Sequence, residues 1–190
     1  MLACSMKAHD IEKYLAQLGR ELANSGIVSP IHILLIGGAF MLTQTQVRRM
    51  TNDIDVLPLD EDQRDIATGT PLAVALWNAA HAVAARHRLH PLWFNTLIVD
   101  FVRAAGDIPH GTHWRTYGPL EVYLPPKEYM LALKLVANRE KDQADIAALC
   151  QELKICTRQQ AQRLITMYIP DQEEQHLFAI PTTLNTLFPA

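Results

Sequence analysis

Residues 31–58 read IHILLIGGAFMLTQTQVRRMTNDIDVLP, and the organisation of the chain is read outward from this stretch. An apolar run from Ile31 stops at Gly37-Gly38, a segment of helical character follows, and a second apolar run opens on Asp53 and Asp55. The order is strand, tight glycine turn, helix, strand. Side chains on a strand alternate faces, so Asp53 and Asp55 project together while Ile54 and Val56 point into the core. Two neighbouring carboxylates repel each other unless a cation lies between them. Hard oxygen ligands of this kind suit Mg²⁺ (or Mn²⁺), and Mg²⁺ commonly takes one or two carboxylates and completes its shell with substrate phosphates. The glycines supply the other half. Without Cβ atoms they let a phosphate chain approach the backbone, and the helix behind them offers N–H groups and a positive dipole end. Either feature alone is weak, being an ordinary turn or a chance pair of surface charges. In this order and at this separation they read as a metal–phosphate site.

The totals bound the class. A chain of 190 residues suits one domain, or a core with a helical appendage, and is long enough to bury a sizeable interior. Hydrophobic content of 49% and charged content of 19% are ordinary for a soluble globular protein. The net charge of −3 gives no overall basic field, so strong nonspecific binding of nucleic acid is not implied, although a local basic patch stays open. Three widely spaced cysteines, Cys4, Cys150 and Cys156, argue against a disulfide framework and for a reducing compartment. No apolar run approaches the ~18 residues of a membrane span, and the N-terminus lacks the marks of a signal peptide. The expectation is a cytoplasmic protein without membrane contact.

Outward from the central stretch, Ile11, Leu15, Leu18 and Leu22 recur at helical spacing, predicting a helix over 9–24 with Asp10 as N-cap and Gly26 past its end. Residues 58–65 carry four acids and read as a solvated loop. Thr70-Pro71 has N-cap and first-turn character, and the alanine-rich stretch to Arg88 is a helix. Arg86, His87 and Arg88 complement its C-terminal dipole; the alternative is contact with an RNA backbone, shared with Arg48 and Arg49. Residues 91–103, PLWFNTLIVDFVR, have the β-branched and aromatic content of a strand; the helix expected over them is what the family resemblance given below implies, with Trp93 and Phe94 in the core and Asp100 at the surface. Residues 106–119 read as a loop in which His110 and His113 are solvated. Leu120–Leu124 reads as a short strand with Glu121 and Tyr123 on one face. From Lys127 the chain is helical. A first helix to about Arg139 carries Lys134 and Asn138 on one face with Lys141 a turn further, and Asp142 and Asp145 open the next. Thr157 caps a helix through Tyr168, and the segment after Pro170 is a short helix or an interaction segment.

Gly37-Gly38 followed by Arg49-x-Thr51-x-Asp53-Ile54-Asp55 resembles the signature of the DNA polymerase β superfamily of nucleotidyltransferases. Within it, the Arg-x-Thr-x-Asp-x-Asp form is similar to the AbiEii-type and related minimal bacterial enzymes. Downstream, Lys134 and then Arg139-Glu140-Lys141-Asp142-Gln143-Ala144-Asp145 resemble that group's Lys…Arg-x-Lys-Asp-x-x-Asp block. The resemblance implies an α+β (α/β) nucleotidyltransferase fold, a small mixed sheet flanked by helices and followed by a helical C-terminal region. It implies a core over residues 1–125 and a helical region over 126–190 that completes the active-site cleft, the two forming one unit. It implies catalysis by Asp53, Asp55, Lys134, Asp142 and Asp145, with Asp53 and Asp55 as the ligands of Mg²⁺ (or Mn²⁺). Gly37, Gly38, Arg49, Thr51 and Arg139 then bind the nucleotide. Arg49 pairs with a phosphate or orients Asp53. Asp142 or Asp145 is a general base, a metal ligand or an orienting partner for Lys134. The donor is an NTP, and the acceptor RNA (tRNA among the candidates) or protein. Some AbiEii-type proteins are toxins of toxin–antitoxin pairs, so a cognate antitoxin is a candidate partner. Members of the superfamily often take a third carboxylate from a neighbouring strand; Glu121 is one candidate, and no Asp occupies the expected strand context. Two rival readings follow: a nucleotide-binding regulator without turnover, and an interaction module whose aspartates are surface charges.

Overall fold

The central stretch folds as its pattern dictates. In a computed structural model, which describes residues 5–45, 47–59 and 70–189, β1 (Ile31–Leu35) runs into the glycine turn and α2 (Gly37–Gln44), and the chain returns as β2 (Ile54–Pro58). The protein is α+β, with a five-stranded mixed sheet. Ahead of β1 lies α1 (Ala8–Asn24); after β2 come α3 (Pro71–His87) and β3 (Phe94–Asn95), then α4 (Val99–Ala105), β4 (Thr112–Tyr117) and β5 (Leu120–Leu124). The order across the sheet is β3-β2-β1-β5-β4. β1 pairs antiparallel with β2 and parallel with β5, β3 joins β2 in parallel, and β4 closes an antiparallel hairpin with β5. The remainder is helical: α5 (Lys127–Ala137), a 3-10 turn (Glu140–Asp142), α6 (Gln143–Leu153), α7 (Arg158–Tyr168), α8 (Gln172–Leu177) and α9 (Ile180–Leu187).

Contacts divide the chain into two units, Met1–Ile98 with His110–Leu124, and Val99–Pro109 with Pro125–Ala190. In the first, alternation sorts the sheet residues. Ile31, Ile33 and Leu35 of β1, Ile54 and Val56 of β2, and Leu120 and Val122 of β5 belong to one buried cluster with Ile11, Leu15, Leu18 and Leu22 of α1 and Leu76, Ala80 and Val83 of α3. The ladder puts Asp55, Leu57, His32, Leu34, Glu121 and Tyr123 on the other face.

Four expectations need correction. The α1 N-cap is Lys7, not Asp10. Asp10 sits three residues in and accepts a 2.9 Å bond from the Lys7 amide, the reciprocal half of a capping box. Within 106–119, Thr112–Tyr117 is a strand; it is the sheet edge, exposed along most of its length, so no apolar alternation announces it. Residues 91–103 split, with Phe94–Asn95 pairing with β2 before α4 begins at Val99. Trp93 and Phe94 are indeed buried, and the Trp93 indole donates to the Ala80 carbonyl at 3.0 Å. Finally, α5 ends at Ala137 because Asn138 turns left-handed (φ 39°), so Lys141 lies on the following 3-10 turn and not on the Lys134 face.

Other expectations agree. Thr70 caps α3, its hydroxyl accepting from the Ala73 amide with Pro71 in the first turn, and Thr157 caps α7 in a capping box with Gln160. Arg86 pairs with Glu21 of α1 at 2.6 Å, the structural reading of that basic helix end. Residues 60–65 of the acidic stretch lie outside the described residues. Among the described residues no helix is long and apolar enough to cross a membrane.

Candidate active site

The glycine turn is forced by what packs against it. Gly37 has φ +63°, which costs an L-residue about 1–2 kcal/mol. A Cβ there would also sit 2.4 Å from Asp55 Oδ2. At Gly38 a Cβ would lie 2.5 Å from Thr51 Oγ1 and 3.2 Å from Arg48 Nη1. Two missing side chains therefore let three side chains of the β2 approach close over the start of α2. The Ile36 amide donates to the Asp55 carbonyl at 3.0 Å, locking the turn to the base of β2. The first bond inside α2 runs from Phe40 N–H to the Ile36 carbonyl, so the N–H groups of Gly37, Gly38 and Ala39 have no acceptor within the helix.

Thr51 organises the carboxylate side. Its hydroxyl stands 3.2 Å from the Asp53 carbonyl oxygen and 3.4 Å from Asp53 Oδ1. Its backbone exchanges two hydrogen bonds with Met6, at 2.6 and 2.9 Å. That bridge ties the N-terminal segment to the site, and nothing in the sequence pattern signals it. Asp53 and Asp55 are both half-buried; Asp55 lies on β2, and Asp53 is the residue that precedes it. Arg49 is exposed, whereas its neighbour Arg48 is half-buried and is the arginine that reaches Gly38. The motif resemblance leaves Arg49 either a phosphate contact or the orientation of Asp53.

Among the described residues, the strands paired with β2 hold no third carboxylate. The residue facing Asp55 in the β2–β3 ladder is Asn95, whose side chain is engaged locally: Nδ2 donates to the Leu92 carbonyl at 3.2 Å and Oδ1 accepts from the Leu97 amide at 3.1 Å. Glu121 faces His32, four residues along β1 from Ile36, which is about 13 Å at the usual strand rise. Glu121 instead accepts the Tyr123 hydroxyl at 3.0 Å and lies 3.5 Å from His32 Nε2. That removes it as a ligand shared with Asp53 and Asp55. His113 likewise is no loop residue: it sits on β4, its Nε2 at 2.8 Å from Thr116 Oγ1. Among the described residues no three His, Cys, Asp or Glu side chains form a closed metal cage.

In the second unit the downstream motif gathers as an ion cluster. Lys134 Nζ contacts Asp142 Oδ1 and lies 2.9 Å from Asp145 Oδ2, and Arg139 Nε donates to Asp142 Oδ2 at 2.6 Å. Lys134, Asp142 and Asp145 are 3%, 0% and 1% exposed, so these charges neutralise one another almost out of water. Burial alone would push the Asp142 carboxyl up, but the hydrogen bonds and charges of Lys134 and Arg139 outweigh it and hold it below the usual range. The acids open α6 as expected, yet Asp142 makes no side-chain cap; its oxygens go to the two cations.

Comparison with family models, with curated proteins and with solved structures finds no match.

Proposed function

We propose that the chain is a Mg²⁺-dependent nucleotidyltransferase that moves a nucleotide from an NTP to an RNA or protein acceptor. The observation that carries this reading is the close approach of Asp55 to Gly37 and of Thr51 to Gly38. It sets the Asp55 carboxylate against the glycine turn that opens α2. The donor set fits the ion: Asp53 and Asp55 are half-exposed oxygen ligands, and Mg²⁺ commonly takes one or two carboxylates and completes its shell with phosphate oxygens. Asp53 and Asp55 would hold Mg²⁺, which when bound supplies charge neutralisation of the triphosphate and lowers the pKa of an attacking hydroxyl. The amides of Gly37, Gly38 and Ala39 receive phosphate oxygens at the positive end of α2. Thr51 fixes the Asp53 carboxylate so that little reorganisation is needed on binding. Of the three roles open to Asp142 and Asp145, their contacts with Lys134 support the orienting one. Asp53 and Asp55 are the metal ligands in this reading, and a toxin role with a cognate antitoxin is the biological setting the motif resemblance suggests.

A second reading, nucleotide binding without turnover, is favoured by Asn95 at the ladder position beside Asp55. One experiment separates the two. Each labelled NTP is incubated with Mg²⁺, total cellular RNA and either wild type or Asp53→Ala. Label on RNA from wild type alone supports transfer, and label on protein moves the acceptor. Stabilisation by Mg²⁺–NTP without pyrophosphate release supports the regulator. No binding of any NTP and no label overturns both readings.

A further inference from the structure

We infer that the outer stripe of α1, carried by Lys13 and Arg20 and flanked by Arg88 at the end of α3, docks the phosphate backbone of an RNA strand. The inference rests on the transferase reading and deepens it by choosing RNA over protein as the acceptor. Ile11, Leu15, Leu18 and Leu22 are the buried side of α1. At about 100° per residue, Lys13 and Arg20 fall on the opposite side, within about 20° of one another. Both are exposed, and two turns set them about 10 Å apart along the axis. The end of α3 lies alongside: Arg86 pairs with Glu21 at 2.6 Å, His87 contacts Gln17, and its ring stands 5.1 Å from that of Tyr14. Arg88, exposed, closes α3 in the left-handed region (φ 55°).

Charge decides what this surface takes. Every acid of α1 is already engaged: Asp10 with the Lys7 amide and His9, Glu12 with Arg115 at 3.4 Å, and Glu21 with Arg86. Among the described residues no acid pairs with Lys13, Arg20 or Arg88. Three cations are thus left over at this junction of a chain whose net charge is −3. Burial, and then the charges of Lys13 and Arg86, hold the His87 imidazole below its usual range, which puts Lys13 beside the end of α3. Gathered like charges are unfavourable until an anion spans them, and a polyanion releases its condensed counterions on doing so. Among the described residues α1 exposes no large apolar side chain, so the stripe lacks the face by which a helix enters a lipid surface. It also has a direction. Met6, just ahead of α1, exchanges backbone hydrogen bonds with Thr51, tying the start of the helix to the segment that carries Asp53. A strand laid along Lys13 and Arg20 therefore has one end directed at the candidate site, as an acceptor must.

The test measures binding of a fluorescein-labelled, mixed-sequence single-stranded RNA by anisotropy across a range of KCl concentrations. It compares wild type, Lys13→Gln/Arg20→Gln, the charge-keeping Lys13→Arg/Arg20→Lys and, as a charge-matched control on exposed residues of the helical region, Lys154→Gln/Arg163→Gln, each checked for a native melting transition. Loss of two phosphate contacts lowers the salt slope by about 1.4, at roughly 0.7 per contact on a single strand. Binding then weakens about 25-fold at ~0.1 M salt, and the difference closes toward ~1 M. Lys13→Arg/Arg20→Lys binds like wild type, and the control loses about threefold at most. A control that loses as much as the stripe variant, or a stripe variant with the wild-type slope, overturns the docking surface. Sedimentation with phosphatidylserine vesicles that depends on Lys13 and Arg20, with RNA binding unmoved, overturns it in favour of a membrane surface. Wild type that binds no RNA overturns it and leaves a transferase acting on protein standing. RNA bound through the stripe with no label transferred from any NTP tells against turnover and keeps the surface.

Discussion

Replacing Lys134 by Met tests whether the second motif is held together by its own charges. Methionine keeps the length and apolar stem of lysine and removes only the ammonium that contacts Asp142 and lies 2.9 Å from Asp145 Oδ2. Both carboxylates are at most 1% exposed, so neither can turn to water without moving its helix. Asp142 keeps Arg139 at 2.6 Å, but the ammonium common to the two acids is gone. Breaking a buried ion pair from one side costs about 3–5 kcal/mol. With a urea m-value near ~2 kcal/mol/M, the unfolding midpoint falls by roughly 2 M at pH 7, read by far-UV circular dichroism.

The pH dependence then changes sign. In wild type the Asp142 carboxyl is held low, so the folded state binds fewer protons than the unfolded one. Its contribution is complete above the unfolded value near ~4 and is lost as pH falls through the folded value. In Lys134→Met two buried carboxylates face each other, and the folded state relieves the repulsion by taking up a proton. Stability of the variant therefore rises as pH falls from 7 toward 5, and the deficit against wild type narrows. A deficit below about 1 kcal/mol at pH 7, or one equal at pH 5 and 7, would refute the cluster argument.

Gly37→Ala adds strain of about 1–2 kcal/mol at φ +63° and a Cβ 2.4 Å from Asp55 Oδ2; the expected result is a lower melting temperature together with loss of stabilisation by Mg²⁺–NTP. Gly19→Ala would set a Cβ 1.9 Å from the Tyr117 carbonyl oxygen, where α1 crosses β4. Overpacking of about 1–3 kcal/mol then outweighs the ~1 kcal/mol gained in helix propensity, and a raised urea midpoint would count against this packing. Burial, with a smaller push from Cys156, raises the Cys150 thiol to about 11. Iodoacetamide at pH 8 should therefore modify exposed Cys156 well ahead of Cys150, as followed by peptide mass spectrometry; equal rates would contradict it.

The parts legible in the sequence are those whose signal is local. Gly37-Gly38 between an apolar run and a helical one, Thr70-Pro71 before alanines, and Thr157 at the head of a helix through Tyr168 each carry their own physical reason, and each sits where it was read. β4 was illegible because THWRTY is an edge with both faces largely exposed, so burial imposes no period on it. Phe94–Asn95 is a two-residue strand, shorter than any periodicity can register, and it exists because β2 offers it a parallel edge. The site followed the same rule. Asp55 could be placed on a face of β2 by counting along the strand, whereas Asp53 precedes it. That Arg48 reaches Gly38, and that Asn95 faces Asp55, depends on which segment crosses which, information held by long-range pairs such as Met6 with Thr51.

The two acidic motifs use the same residue types, because the groups that neutralise a phosphate also neutralise a buried carboxylate. Burial separates them. Asp142 and Asp145 are closed in with their cations, whereas Asp53 and Asp55 stay half-exposed. A metal-binding pair is destabilising until its ion arrives, since like charges are held together by the surrounding backbone. Asp53→Ala should accordingly cost little stability without metal. The lost contact with the Thr51 hydroxyl, 3.4 Å long, is offset by relief of repulsion at Asp55, for a net change within about 1 kcal/mol. Adding Mg²⁺ and NTP should raise the melting temperature of wild type and leave that of Asp53→Ala where it was. A large loss of stability in the metal-free variant would mean that Asp53 holds the fold together, and the metal assignment would fall with it.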